Sequence, residues 1–258
     1  MNKKLFRRLA SSLFVVMILL FTGVGYLKHA SSERAQRIES LSRDVQSLRI
    51  GASTYQKARA IAERFGTAKF ENDWGIRDCS DGYFEKCAYQ ISIKSPVMSK
   101  LGRTLPFVSR LGLHPWSGYA HISIDDGKVA EYSFSAIFKS TDGQWRGFGA
   151  EEYESLPKRA VQASISGSYL VSRNDIIMTD ERNGLGYSLD SSLTPVSSQE
   201  ERRRAWHFEM RCLAGNGCNE ICDVMPEAWT DFYIKRGYLD VQKYGERYQF
   251  CTHSATRP

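Results

Sequence analysis

Apolar and polar positions along this chain change period several times, and each change marks an element. Leu9 to Leu27 reads LASSLFVVMILLFTGVGYL, uncharged throughout, with Ser11, Ser12 and Thr22 its clearly polar members. As a helix this stretch reaches about 28 Å, close to the hydrocarbon thickness of a bilayer, and isolated hydroxyls in it can bond back to the helix's own carbonyls. A transmembrane helix is expected over 9–27. Beyond it Ile38, Leu41, Val45 and Leu48 recur at spacings of three and four, separated by Arg34, Arg37, Glu39, Arg43 and Asp44, the pattern of an amphipathic helix leaving the membrane. That stripe spans barely two heptads, so packing on its own domain is favoured over a coiled-coil seam, with self-association through the same four residues as the competing reading.

Gly51 breaks the pattern, and Ser53-Thr54-Tyr55-Gln56 has capping-box spacing, Ser53 accepting from the third backbone NH. Tyr55, Ala58, Ile61, Ala62 and Phe65 give a second helix its apolar face, and Gly66 stands where a left-handed cap belongs. From Cys87 to Lys94 the period becomes two, with Cys87, Tyr89, Ile91 and Ile93 on one side of a strand. Residues 95–115 carry Pro96, Pro106 and Pro115 and read as an irregular connection with a helical turn near Val97–Leu101. Tyr119–Ile124 and Lys128–Phe138, joined through Asp126-Gly127, form a hairpin whose second strand alternates Ala130, Tyr132, Phe134, Ala136 and Phe138. Asp142-Gly143 turns the chain into a further strand from Trp145.

The later sequence is less regular. Tyr169–Ser172 is strand-like, while Asn183-Gly184-Leu185-Gly186 and the stretch Ser188–Ser198 read as loops. Ser197 or Ser198 caps a short helix through Gln199–Arg204. Trp206, Phe208 and Met210 then alternate as a strand, and Asn219–Val224 and Glu227–Lys235 are expected to be helical on either side of Pro226. The class is α+β: an N-terminal transmembrane helix, then amphipathic helices packed on a mainly antiparallel β-sheet. The chain divides into a cytoplasmic basic segment (1–8), the transmembrane helix (9–27), a juxtamembrane amphipathic helix (28–50) and an exported domain (51–258).

Composition enters through charge. The net charge is +6 over 258 residues, but Lys3, Lys4, Arg7, Arg8 and Lys28 account for five of the bases and residues 1–30 hold no acid. The remainder is nearly neutral, so a nucleic-acid partner is not expected. Four bases ahead of the span place the N-terminus in the cytoplasm by the positive-inside rule, with the domain periplasmic and the bilayer as partner of residues 9–27. A cleaved signal peptide is the competing reading; Gly23-Val24-Gly25 is its one small-x-small site, because Lys28-His29-Ala30 fails at its first position.

Cys79, Cys87, Cys212, Cys218, Cys222 and Cys251 all follow the span. In an oxidising compartment an even set tends to pair. Cys79 and Cys87 flank Asp81-Gly82, and Cys212 and Cys218 enclose Gly215-Asn216-Gly217, so local turns favour these two pairs and leave Cys222 for Cys251, one of fifteen connectivities. Zinc is the alternative, on Cys212, Cys218 and Cys222 with His207 or His253, although C-x2-C spacing is absent. The same absence argues against a thioredoxin-like centre.

No catalytic residue, cofactor site or metal site is assigned. G-x-S-x-G, H-E-x-x-H and Walker A patterns are missing, and Gly147-Phe148-Gly149 lacks the third glycine of a dinucleotide fingerprint. Ser155-Leu156-Pro157-Lys158 matches S-x-x-K in letters, but Pro157 spoils the helix that the motif needs. His121 and Glu131 face each other across the hairpin, as a base and its orienter or as an ordinary cross-strand polar pair, the second being favoured. Arg202, Arg203 and Arg204 read as a solvated helical face. Trp116, Tyr119, Trp145 and Phe148 line either a ligand groove or the core, with the core favoured.

The strings LRIGASTYQKARAIAERFG (48–66), CAYQISI and CLAGNGCNEICDVMPEAW resemble those of uncharacterised bacterial proteins that carry one N-terminal membrane helix and an exported α+β domain of unknown function. The first string also resembles the start of the small outer-membrane assembly lipoproteins of the BamE type, although the lipobox cysteine is missing and the exported part is longer. The resemblance implies a helix pair packed on an antiparallel sheet and a binding role; an envelope protein or another envelope component is the expected partner. A non-catalytic binding domain of the bacterial envelope is therefore expected, with an envelope hydrolase as the alternative.

Overall fold

A computed structural model describes residues 3–68, 77–82, 85–101, 112–141, 143–154, 172–177, 185–215 and 217–229. The apolar run and the amphipathic stripe form one unbroken helix, α1 (Lys3–Gln46). Thr22 Oγ1 bonds back to the carbonyls of Ile18 (2.8 Å) and Leu19 (3.1 Å), which satisfies the hydroxyl inside the apolar stretch. Leu13 to Phe21 and Tyr26 are exposed, between 44% and 70%, whereas Ile38, Leu41, Val45 and Leu48 are at 0%. The stripe predicted from spacing is thus used within the chain's own core.

α2 (Tyr55–Phe65) follows and buries Ala58, Ile61, Ala62 and Phe65, and Gly66 ends it at φ +85 with its N–H on the Ala62 carbonyl. The capping box is not formed. Thr54 is the N-cap and makes no side-chain cap bond, because Ser53 Oγ is turned back to accept from the Arg49 N–H (2.8 Å), closing the turn between the two helices.

The strands are β1 (Arg77–Asp78), β2 (Lys86–Lys94), β3 (Trp116–Asp125), β4 (Lys128–Lys139), β5 (Trp145–Tyr153), β6 (Ser172–Ile177) and β7 (Leu185–Leu193), in the order β1-β2-β3-β4-β5-β7-β6. The class is α+β, as the periodicity predicts, but the sheet is mixed rather than mainly antiparallel. β1 runs parallel to β2 and β7 parallel to β5, while the other neighbours are antiparallel. The β3–β4 hairpin turns through Asp126 (φ +46) and Gly127 (φ +73), the left-handed pair that a two-residue turn of this hand requires. A bulge between Ser123 and Ile124 leaves Ala130 unpaired, so Val129 and Tyr132 both reach the core face while Glu131 points to the other.

α1 and α2 cover the core face over β2–β4, and the C-terminal segment covers it over β4, β5 and β7. That segment holds α4 (Gln199–Ala205), α5 (Arg211–Ala214), which packs on α1, and a 3-10 turn (Ile221–Asp223). α3 (Pro96–Leu101) lies in the β2–β3 connection, where a helical turn was expected. Ser198 caps α4 with Glu201 completing a capping box.

Three expectations for this half are corrected. Asn183–Gly186 and Ser188–Ser198 are not all loop: β7 runs from Leu185 to Leu193, with Leu189, Ser191 and Leu193 at 0% exposure on the core face. Trp206–Met210 is not a strand; Trp206 and Met210 are buried and Phe208 lies 5.3 Å from Phe134 and 5.4 Å from Phe148 between ring centroids, so aromatic packing and not strand pairing sets their alternation. Asn219–Val224 is helical only as the 3-10 turn, where Asp223 accepts from the N–H groups of Asn219 and Glu220. Residues 226–229 are helical, and the rest of the expected helix lies outside the described residues, as does Tyr169.

Candidate functional site

The structure joins Cys79 to Cys87 and Cys212 to Cys218, the two pairs that the local turns suggest, with Cα atoms 5.1 Å and 4.9 Å apart. Cys222 is also disulfide-bonded, and Cys251 lies outside the described residues. Sulfurs held in disulfides have no thiolate to offer a metal. His207 points its Nδ1 at Glu227 instead (2.8 Å); His253 and Ser155–Lys158 lie outside the described residues.

The Cys79–Cys87 bridge closes one side of a cavity of about 410 Å³ between α2 and β2. Tyr55, Arg59 and Glu63 line it from one helix face, at the spacing of one turn, and Tyr89 lines it from the sheet. The rings of Tyr55 and Tyr89 are 6.0 Å apart, and burial, followed by the Tyr55 hydroxyl, pushes the Tyr89 phenol up. Arg59 Nε bonds Glu63 Oε1 (2.7 Å) one turn on along the same helix face. This is an aromatic-floored recess with charged side chains on its helical wall, suited to holding a ligand by stacking and hydrogen bonds.

A second constellation sits on the sheet face away from the helices. The register places Ser133 opposite His121 and Ser123 opposite Glu131, so the two predicted partners are diagonal neighbours. Burial lowers His121. Glu131 is pushed up to about 7, by burial first and then by the Glu151 carboxylate. Tyr153, opposite Glu131, is raised by burial and by Glu151. Glu151 accepts from the Ser192 hydroxyl (2.6 Å), and a Cβ on Gly149 would meet Asp190 Oδ1 at 2.7 Å, so β5 and β7 are held close by the lack of a side chain there. Among the described residues no group of three or more His, Cys, Asp or Glu is arranged to hold a metal ion.

The Glu131 shift has a measurable consequence. Its folded-state value lies above the ordinary carboxylate value, so between about pH 4.5 and 7 the folded chain binds more protons than the unfolded one and stability falls as pH rises. Below that window the carboxyl is neutral in both states and the penalty is absent. Glu131→Gln should leave stability near pH 4 unchanged and raise it at pH 8, by up to about 3 kcal/mol. Chemical denaturation at the two pH values checks this, and an equal effect at both would refute the assignment.

The remaining singled-out residues are structural. Trp116 and Phe148 are fully buried in the core, and Tyr119 and Trp145 are half-buried, so the four aromatics do not converge on a groove. Gly147-Phe148-Gly149 lies within β5. The arginine run is corrected in part. Arg203 and Arg204 bond Glu200 on the exposed face, but Arg202 turns inward and ion-pairs with Glu152, whose side chain is 7% exposed. Glu152 also accepts from the Tyr132 hydroxyl (2.5 Å), and burial pushes that phenol up to about 12. A second buried pair, Arg146 with Glu220 (3.2 Å), ties β5 to the 3-10 turn.

Comparison of the chain with protein-family models, with curated proteins and with solved structures gives no match.

Proposed function

We propose that this chain is a single-pass membrane protein of the bacterial envelope, anchored through residues 9–27 with its N-terminus in the cytoplasm, whose α+β domain lies on the extracytoplasmic side and acts by binding rather than by catalysis. The observation that carries the anchor is the change of environment along one helix. α1 contains one window long and apolar enough to cross a bilayer, exposed along its length, and the same helix continues without a break into residues at 0% exposure. Val24 and Leu27 already pack on the domain, so cleavage at Gly23-Val24-Gly25 would remove part of the domain's own packing. The disulfides fit an oxidising compartment, and Lys3, Lys4, Arg7 and Arg8 give the orientation.

The recess beside Tyr55 and Tyr89 supports the binding role, with an envelope protein as partner. A specific observation favours a second reading, an envelope hydrolase: Glu131, pushed up to about 7 by burial and by the neighbouring Glu151 side chain, has the character of a general acid.

One experiment separates these readings. Membrane-fraction protein is mapped by non-reducing mass spectrometry, and intact spheroplasts are treated with protease. An intact N-terminal peptide, oxidised cysteines and loss of the domain to external protease are expected; a chain starting after residue 25, free thiols or a protected domain would overturn the assignment. Hydrolysis of envelope substrates that Glu131→Gln abolishes would move the conclusion to the second reading.

A further inference from the structure

The domain begins inside the apolar span and not after it. Val24 and Leu27 belong to the 9–27 stretch, yet both pack against Val97 of α3 and Leu113, near the two ends of the β2–β3 connection. Only about 6 Å of helix separates Leu27 from Ser31, whose hydroxyl accepts from Trp116 Nε1 (3.1 Å) at the start of β3. The headgroup layer outside the hydrocarbon is itself about 5–8 Å deep. With residues 9–27 spanning, this end of the sheet has no room to stand clear of the lipid surface.

The chemistry of that end matches. Lys28 is exposed and lies over Gly112, its Nζ 3.0 Å from where a Cβ would sit. Lys94 ends β2 and is exposed, and its carbonyl accepts from Arg34 (3.0 Å); Lys139 ends β4, with its N–H on the Pro115 carbonyl (2.8 Å). The sequence holds no acid between Glu85 and Asp125. Two acids near this end have basic partners, Glu33 on His29 (3.4 Å) and Glu220 on Arg146, and the sequence puts one more acid, Asp142, in the connection after Lys139. At the opposite end of the same strands the charge is mixed: Asp125 pairs with Lys86 (3.2 Å), and Lys128 stands beside Asp126 and Glu154. One end of the sheet is therefore basic and continuous with a bilayer-spanning surface, and the other is of mixed charge and remote from it.

We infer that the membrane-proximal end of the domain is a second lipid-binding surface, which seats on the headgroups of the leaflet where the span emerges and uses Lys28, Lys94 and Lys139 to hold anionic phospholipid. It rests on the reading of residues 9–27 as a bilayer anchor. The rigid helix sets the depth, and the three ammonium groups set the preference for negative headgroups, which salt screens.

The test uses the full chain in lipid nanodiscs of phosphatidylcholine alone or with roughly one third phosphatidylglycerol. Backbone hydrogen exchange is followed over residues 96–101 and 112–116. Exchange about threefold or more slower in the anionic discs is expected, with the difference lost at high salt and in Lys28→Gln/Lys94→Gln/Lys139→Gln, and retained in the corresponding triple Arg variant. Both variants should still float with the discs, because the span is untouched. Wild-type chain that floats but exchanges equally in both disc types would overturn this inference and leave the anchor standing; wild-type chain that fails to float would overturn both.

Discussion

Arg202→Met is expected to destabilise the fold by about 3–5 kcal/mol, more than any exposed charge change in the chain. The guanidinium meets Glu152 on the core face of β5, and it also donates to the carbonyls of Thr194 (2.6 Å) and Ser197 (3.2 Å), which locks the turn ahead of α4. Removing it leaves the Glu152 carboxylate buried with only the Tyr132 hydroxyl for support, and two carbonyls lose their donor. Arg202→Met/Glu152→Met should recover much of the loss, because no uncompensated charge remains. Urea unfolding of the detergent-solubilised chain measures both. A single-variant loss under about 1 kcal/mol would mean that the pair is solvated in solution and that α4 docks through Ala205 and Trp206 alone.

Arg202 also shows where sequence reading stops. Three successive arginines after two glutamates look like one solvated face, yet at 100° per residue they cannot share one. Ala205 and Trp206, three and four positions on, are both buried and mark the inward side, so the signal that Arg202 turns inward was present in its neighbours. Local periodicity served well where burial has a single period: the stripe from Ile38 to Leu48, the face of α2, and Cys87 to Ile93. β7 was hidden for a physical reason. Its partner β5 is parallel and distant in sequence, and Ser191 fills a buried position that a hydrophobicity pattern counts as polar. The bulge at Ala130 likewise moves Val129 into the core out of step with Tyr132. Of the candidate site, the His121–Glu131 neighbourhood was legible from the hairpin turn. Glu151 and Tyr153 were not, since they arrive from the next strand, and the recess under α2 depends on how a helix crosses a sheet.

Gly118→Val should be the most damaging single addition to the core. An ideal Cβ at Gly118 would lie 1.8 Å from Ile38 Cδ1 and 2.5 Å from its Cγ1, so α1 crosses β3 with an isoleucine seated in the space that the glycine leaves. Ile38 is at 0% exposure and β-branched within a helix, where one χ1 rotamer dominates, so the side chain cannot swing aside without displacing its neighbours. Even Gly118→Ala should cost about 1–3 kcal/mol by overpacking. Ile38→Ala alone should cost about 2–5 kcal/mol through the cavity it opens. Together they should cost clearly less than their sum, because the new methyl occupies volume that the isoleucine vacates. A strictly additive cycle would show that α1 and β3 are not packed at this point. The same cycle bears on function, since α1 is the proposed anchor as well as core. In Gly118→Val the span is intact, so the chain should still float with membranes while its domain unfolds at lower urea than the wild-type domain. Anchoring and domain order would then be separated by one residue on a strand outside the proposed span.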